Sequence, residues 1–179
     1  MGTIKATNIE PIADNGTVTL GSSGDTLTVP SGVTVAGAMA NTPSFRVHPS
    51  SGQTISNATW TKVTFDTETW DTDSAFASNK FTVPSGKDGK YQFSYGGYFG
   101  SPVDQKIVAF RLYKNGSAIN RTYVQQSQSG TSGEIPNASV VMSLSAADYV
   151  EVYVYQNNGG DRTLDSNYTR FEGFKLIGV

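Results

Sequence analysis

Gly89-Lys90-Tyr91-Gln92-Phe93-Ser94-Tyr95 decides the fold. Its aromatic residues alternate with polar ones, so Tyr91, Phe93 and Tyr95 share one face of an extended strand. That pattern favours core or subunit packing over ligand binding. Four residues lead into it at set spacing. Five residues separate Phe65 from Asp71, four separate Asp71 from Phe76, and Phe81 follows.

This array resembles the signature of the globular head of complement subcomponent C-one-q. The family pattern runs aromatic, five residues, Asp or Asn, four residues, aromatic, a further Phe, then Gly-x-Tyr-x-Phe-x-aromatic. One position departs from it: the pattern places its Phe at Val83, whereas the Phe here is Phe81. A shorter segment before Phe81 is offset by two additional residues in the turn at Ser85 to Asp88. The resemblance covers about Pro43 to Val179 and implies a trimeric jelly-roll sandwich of about ten strands, shared with tumour necrosis factor. Phe65, Asp71, Phe76, Phe81, Gly89, Tyr91, Phe93 and Tyr95 would form its framework. Phe174, Leu176 and Ile177 would lie in a central closing strand near the subunit axis, so deleting 174–179 is expected to abolish assembly.

Composition agrees with an all-β chain. There are 179 residues with 19 Gly, 11% aromatic residues and abundant Thr, Ser and Val. A net charge of −2 and scattered Lys and Arg give no basic surface for nucleic acid. No apolar run reaches the roughly 20 residues that span a bilayer, so no membrane insertion is expected. The start at Met1 lacks the apolar core of a secretory signal. The six Asn-x-Ser/Thr sequons carry no weight without entry to a secretory pathway. With no Cys, disulfides and thiolate metal sites are excluded. An exposed head without export signal or disulfide fits a virion-surface protein made in a host cytoplasm.

Residues 1–42 contain no aromatic residue. Gly16, Gly24 and Gly32 recur every eight residues, each before a short β-type run: Thr17–Leu20, Thr26–Val29 and Val33–Val35. Such runs cannot bury a face within one chain, but three copies around an axis could share an interior. The segment resembles the β-rich stalks of bacteriophage fibres; a Gly/Ser/Thr linker is the alternative, chiefly for residues 1–15.

From Pro43 the chain reads as sandwich strands: Ser44–His48, Thr61–Phe65, Lys80–Val83, Lys90–Phe99, Lys106–Lys114, Ala118–Gln126, Ser139–Leu144, Tyr149–Gln156 and Arg170–Ile177. In Tyr149–Gln156, Val150, Val152 and Val154 face one side, and Tyr149, Glu151, Tyr153 and Tyr155 the other. Asn115-Gly116 is a type I′ hairpin signal. No useful 3.6-residue apolar period occurs, so almost no helix is expected.

Catalysis finds little footing. His48 is the only His, and it lies in a strand as an ordinary surface or half-buried residue. Asp66, Glu68, Asp71 and Asp73 cluster beside Trp70 but read as a turn-rich strand connection rather than a glycosidase pair. If the topology follows the family, the Asn115-Gly116 hairpin and the 146–148 turn point back towards the stalk. The loops 96–105, 127–137 and 157–167 then point away. These distal loops offer Tyr98, Phe99, Gln128, Glu134, Asp161, Arg162 and Asp165 as receptor contacts, with core or seam packing the alternative for Tyr98 and Phe99. Related trimers sometimes hold calcium near the axis; Asp104, Asp161 and Asp165 would be its oxygen donors, without the spacing of a dedicated site.

The reading is a non-enzymatic homotrimeric phage fibre or spike, of tail or head. Its stalk would dock to a virion protein and its head would meet a host-surface glycan or protein. Two alternatives stand: a carbohydrate-binding β-sandwich module of a secreted bacterial protein, and a purely structural trimerising or capsid-decorating cap.

Overall fold

The computed structural model describes residues 22–33, 41–100, 103–127, 133 and 135–177. The chain divides into two units, 1–35 and 36–179. In the first, turns at Ser23-Gly24 and Ser31-Gly32 place the two glycines at φ +94° and +88°, a left-handed geometry repeated at the eight-residue period. Leu27, Val29 and Val33 are exposed. The strand expected over Thr26–Val29 has no ladder partner among the described residues, and so short a run cannot hold itself extended. The run Thr17–Leu20 lies outside the described residues, as do Thr34 and Val35.

Among its described residues the second unit contains fourteen strands. The first seven are β1 (Ser44–His48), β2 (Gln53–Ile55), β3 (Thr61–Lys62), β4 (Thr67–Asp71), β5 (Phe76–Ala77), β6 (Lys80–Thr82) and β7 (Gly89–Gly96). Then follow β8 (Ile107–Lys114), β9 (Ser117–Ala118), β10 (Val124–Ser127), β11 (Asn137–Leu144), β12 (Tyr149–Gln156), β13 (Arg162–Leu164) and β14 (Arg170–Lys175). A 3-10 turn at Asn120–Thr122 is the only helical element among the described residues.

Ten strands build the sandwich. One sheet has the order β11-β7-β14-β1-β4, and the other runs β10-β8-β12-β6-β5, with β3 added to β12 and β9 to β8. A separate two-stranded sheet pairs β13 with β2. The expected jelly roll of about ten strands is thus present, and the four short strands are additions to it. Thr67–Asp71, expected as a connection, is instead the edge strand β4, paired to β1 across a register shift at Arg46/Val47.

The inward faces meet in one aromatic core. Phe45 stacks on Phe81 at 4.9 Å and meets Phe171 edge-on at 4.9 Å, while Phe93 and Tyr91 stack at 6.1 Å. Phe65, Phe76, Phe81, Tyr91, Phe93 and Tyr95 are all buried. Phe81 and Val83 are both buried as well. A two-residue slide keeps a side chain on the same face of a strand, so the departure from the family pattern costs no core position. Phe174 lies in β14, the middle strand of its sheet, and points outward. It is 37% exposed on β14, and Phe171, three residues earlier and therefore on the opposite face, fills the core.

Candidate functional site

The two ends of the sandwich differ in construction. At one end the turns are tight and ion-paired. Asn115 Nδ2 donates to Asp148 Oδ1 at 2.7 Å, and Lys114 Nζ lies 2.7 Å from Asp148 Oδ2. Lys114 and its neighbours hold the Asp148 carboxyl down to about 2. The backbone of Ala146 donates to Asp88, and Lys87 Nζ donates to Thr42 Oγ1, so the chain enters the head at this same end. The hairpin at 115–116 and the turn at 146–148 share the end of the domain at which Thr42 lies.

At the other end the loops brace one another. Asn57 Oδ1 accepts from Gly159 N, Asn158 Oδ1 from Val103 N, and Asn157 Oδ1 from Ile107 N, at 2.8, 2.9 and 2.7 Å. Gln156, fully buried, donates to Ile55 O and Gly160 O and accepts from Asn158 N. Loops 96–105 and 157–167 gather here as expected. The loop after β2 joins them, which the sequence reading did not anticipate.

The proposed contact residues divide accordingly. Phe99 is fully buried, bridged to Leu164, and caps the core; it offers no surface. Tyr98 is half-buried against the exposed Tyr168, with ring centroids 5.6 Å apart. Arg162 donates to Asp161 O and Asn158 O, so its guanidinium also braces its own loop. Asp161, Arg162 and Asp165 line a cavity of about 340 Å³ with Gly100 and Thr163. Gln128 and Glu134 lie outside the described residues. Among the described residues no three His, Cys, Asp or Glu side chains converge as metal donors.

The carboxylates near Trp70 are spread among structural tasks. Asp66 accepts from the backbone and hydroxyl of Ser50, both at 2.6 Å, and the Ser50 hydroxyl holds its pKa down. Asp71 caps the loop to Phe76, and Asp73 lies 3.8 Å from Lys87. His48 Nδ1 faces the Thr69 hydroxyl at 3.5 Å, with the ring half-buried.

The outward face of the five-stranded sheet carries two concavities. Glu172 sits between Arg46 at 3.5 Å and Arg170 at 3.6 Å, and Arg46 lies 6.0 Å from the Trp70 ring. On one side of this row is a groove of about 510 Å³ lined by Trp70, Gln92, Glu172 and Phe174. Beyond it, a cavity of about 780 Å³ is lined by Arg46, His48, Ile135, Asn137, Tyr168 and Arg170. Trp70, Ile135, Val141, Tyr168 and Phe174 are all exposed large apolar residues on or beside this face.

A sequence profile for one family, the C1q domain, matches residues 44–176. The chain belongs to the C1q-domain family. Solved structures share the fold of this C1q domain. The globular domain of zebrafish complement 1qA superposes with a TM-score of 0.55 at 16% identity, covering 75% of this chain and 98% of that one. Eiger TNF from S. frugiperda gives 0.55 at 16%, covering 78% and 96%. Murine APRIL at pH 5.0 gives 0.55 at 14%, covering 74% and 98%. No curated protein matches the chain. Trimers are typical of this fold, and C1q and tumour-necrosis-factor-like domains are generally non-enzymatic binding modules.

Proposed function

We propose that this C1q domain is the head of a homotrimeric, non-enzymatic attachment protein on a virion, a phage fibre or spike of tail or head. Its N-terminal repeat would dock to a virion protein, and its braced distal loops would meet a host-surface glycan or protein. The observation that carries the trimer is the outward face of the five-stranded sheet. Trp70, Val141 and Phe174 are exposed there beside two grooves, an arrangement suited to a second copy of the same chain. The virion context rests on the threonine-rich eight-residue repeat and on a cysteine-free chain that folds in a reducing cytoplasm. Three heads on one axis, repeated on a particle, turn weak contacts into durable attachment.

Light scattering tests the first step. A mass near three times 19.1 kDa is expected for the full chain. Phe174→Asp together with Val141→Asp should yield folded monomers. A wild-type monomer would overturn the trimer and bring the carbohydrate-module reading forward. Adsorption of the trimer to host cells, lost on substitution of Tyr98 and Asp165, tests the second step. Unchanged adsorption would favour a purely structural cap.

A further inference from the structure

The outer face of the seven-stranded sheet, on the opposite side of the sandwich from the face just described, carries a cluster that neither the fold nor the proposed attachment uses. On β12, Val150, Val152 and Val154 fill the core, which turns Glu151, Tyr153 and Tyr155 outward. Across the ladder on β8 the positions facing them are Tyr113, Arg111 and Ala109. The Arg111 guanidinium lies 4.4 Å from the Trp60 ring and 5.3 Å from the Tyr113 ring. Trp60 packs in turn on Tyr155 at 5.4 Å and Tyr123 at 6.1 Å, and Tyr113 stacks on Tyr153 at 3.9 Å.

Cross-strand ring pairs alone stabilise a sheet. The charge arrangement here goes further. No carboxylate among the described residues lies within ion-pair distance of Arg111. Its Nε is buried without a hydrogen-bond partner, and a terminal nitrogen donates only to the Tyr113 hydroxyl, at 3.3 Å. Glu151, the acid on this face, is already held by Lys62 at 2.7 Å, while Lys80 lies over the Tyr149 ring at 4.3 Å. The face therefore presents excess positive charge amid rings that stay partly open, with Tyr123 43% exposed. The guanidinium lies near two aromatic rings with its Nε shut off from the surface, so its terminal nitrogens are what it offers to a planar carboxylate.

We infer that this face is a second binding site, for an acidic saccharide. The C–H face of a pyranose packs on Trp60 and Tyr123, its hydroxyls reach the polar ring edges and Gln125, and its carboxylate completes Arg111. Arg111, Tyr113, Tyr153 and Tyr155 stand on β8 and β12, Trp60 and Tyr123 immediately precede β3 and β10, and the cavities described above open elsewhere, so the face offers no socket for a protein's anchoring side chain.

The test is titration of the full chain with oligogalacturonate, a hyaluronan oligosaccharide and sialyllactose, beside the methyl ester of oligogalacturonate. Calorimetry and the fluorescence of Trp60 in a Trp70→Phe background report binding. At least one acidic saccharide is expected to bind, more weakly as salt rises, and the ester about tenfold more weakly than its acid. Trp60→Ala and Arg111→Gln should each weaken binding by about tenfold or more at unchanged melting temperature and solution mass. If either variant fails to fold, quenching of Trp60 in the Trp70→Phe protein and the acid-to-ester ratio still decide the matter. The inference is overturned by any of four results: no binding of all three acids at millimolar concentration, equal affinity for the ester, binding untouched by both substitutions, or a change of solution mass in Trp60→Ala that makes the face a subunit contact.

Discussion

The carboxylate of Asp71 accepts a hydrogen bond from the backbone N–H of Phe76 at 2.8 Å. Its other oxygen accepts from Asp73 N at 3.4 Å, so one side chain closes the loop between β4 and β5 and delivers the Phe76 ring to the core. An amide can accept the same bond, which is why Asp or Asn serves at this position. Asp71→Ala should cost about 1–3 kcal/mol of stability, the penalty for stranding a buried donor, and Asp71→Asn much less. Urea denaturation of the two variants separates these outcomes; equal losses would mean the loop is held by something else.

Gly173 lies in β14, and a methyl group there would meet Phe93 Cδ1 at 2.5 Å and the Gln92 carbonyl at 3.0 Å. Overpacking between central strands typically costs about 1–3 kcal/mol. Gly173→Ala should therefore lower the melting temperature clearly. Gly100→Ala, where an added methyl meets nothing within 4 Å, is the control and should be close to neutral.

Burial pushes the Tyr91 hydroxyl up to about 12, with the charges of Asp73 and Asp88 adding to the effect. Burial likewise pushes Tyr95 up to about 12, although its hydroxyl donates to Thr122 O. The folded chain then keeps protons that the unfolded chain, titrating near 10.0, releases. Their contribution is fully present below pH 10 and is lost as pH rises towards 12. Urea midpoints measured across that window should fall steeply. Tyr91→Phe should flatten the fall without moving the acid limb.

Asp148 works in the reverse sense. Its folded pKa of about 2 lies below the usual 3.8, so its contribution is present above 3.8 and disappears as pH drops towards 2. Acid unfolding monitored by circular dichroism should lose part of its pH dependence in Asp148→Asn. An unchanged acid limb would show that the Lys114 pair adds nothing to folding.

Much of this architecture could be read before any coordinates. The alternation of Tyr91, Phe93 and Tyr95, and of the valines in β12, reports local geometry, because a pleated strand buries every second side chain. Parity also explains why Phe81 can stand two residues from its family position, and parity applied to Arg170–Lys175 would have placed Phe171 inside and Phe174 outside. What stayed hidden is pairing between distant segments. β4 lacks alternating apolar residues because it is an edge strand, and β13 finds β2 more than a hundred positions away. Phe99 looked like a loop aromatic because its burial depends on Leu164, a partner no local pattern announces. Among the proposed site residues, Asp161 and Arg162 lie in the segment after β12, at the end of the sandwich away from the Asn115-Gly116 hairpin. Their internal bonds, set by loop geometry, were not legible.

The three asparagine amides at the distal end have a consequence for how such a head can change. Asn57 and Asn158 each fasten one loop to the backbone of another, and Asn157 fastens its loop to the start of β8. Exposed side chains that brace nothing can be exchanged between these rivets while the rivets themselves hold the outline of the surface. Adaptation to a new target would then proceed as repainting of a fixed relief, in small steps that never pass through an unfolded intermediate form. A change at any one rivet would instead disturb several loops at once and alter the relief itself.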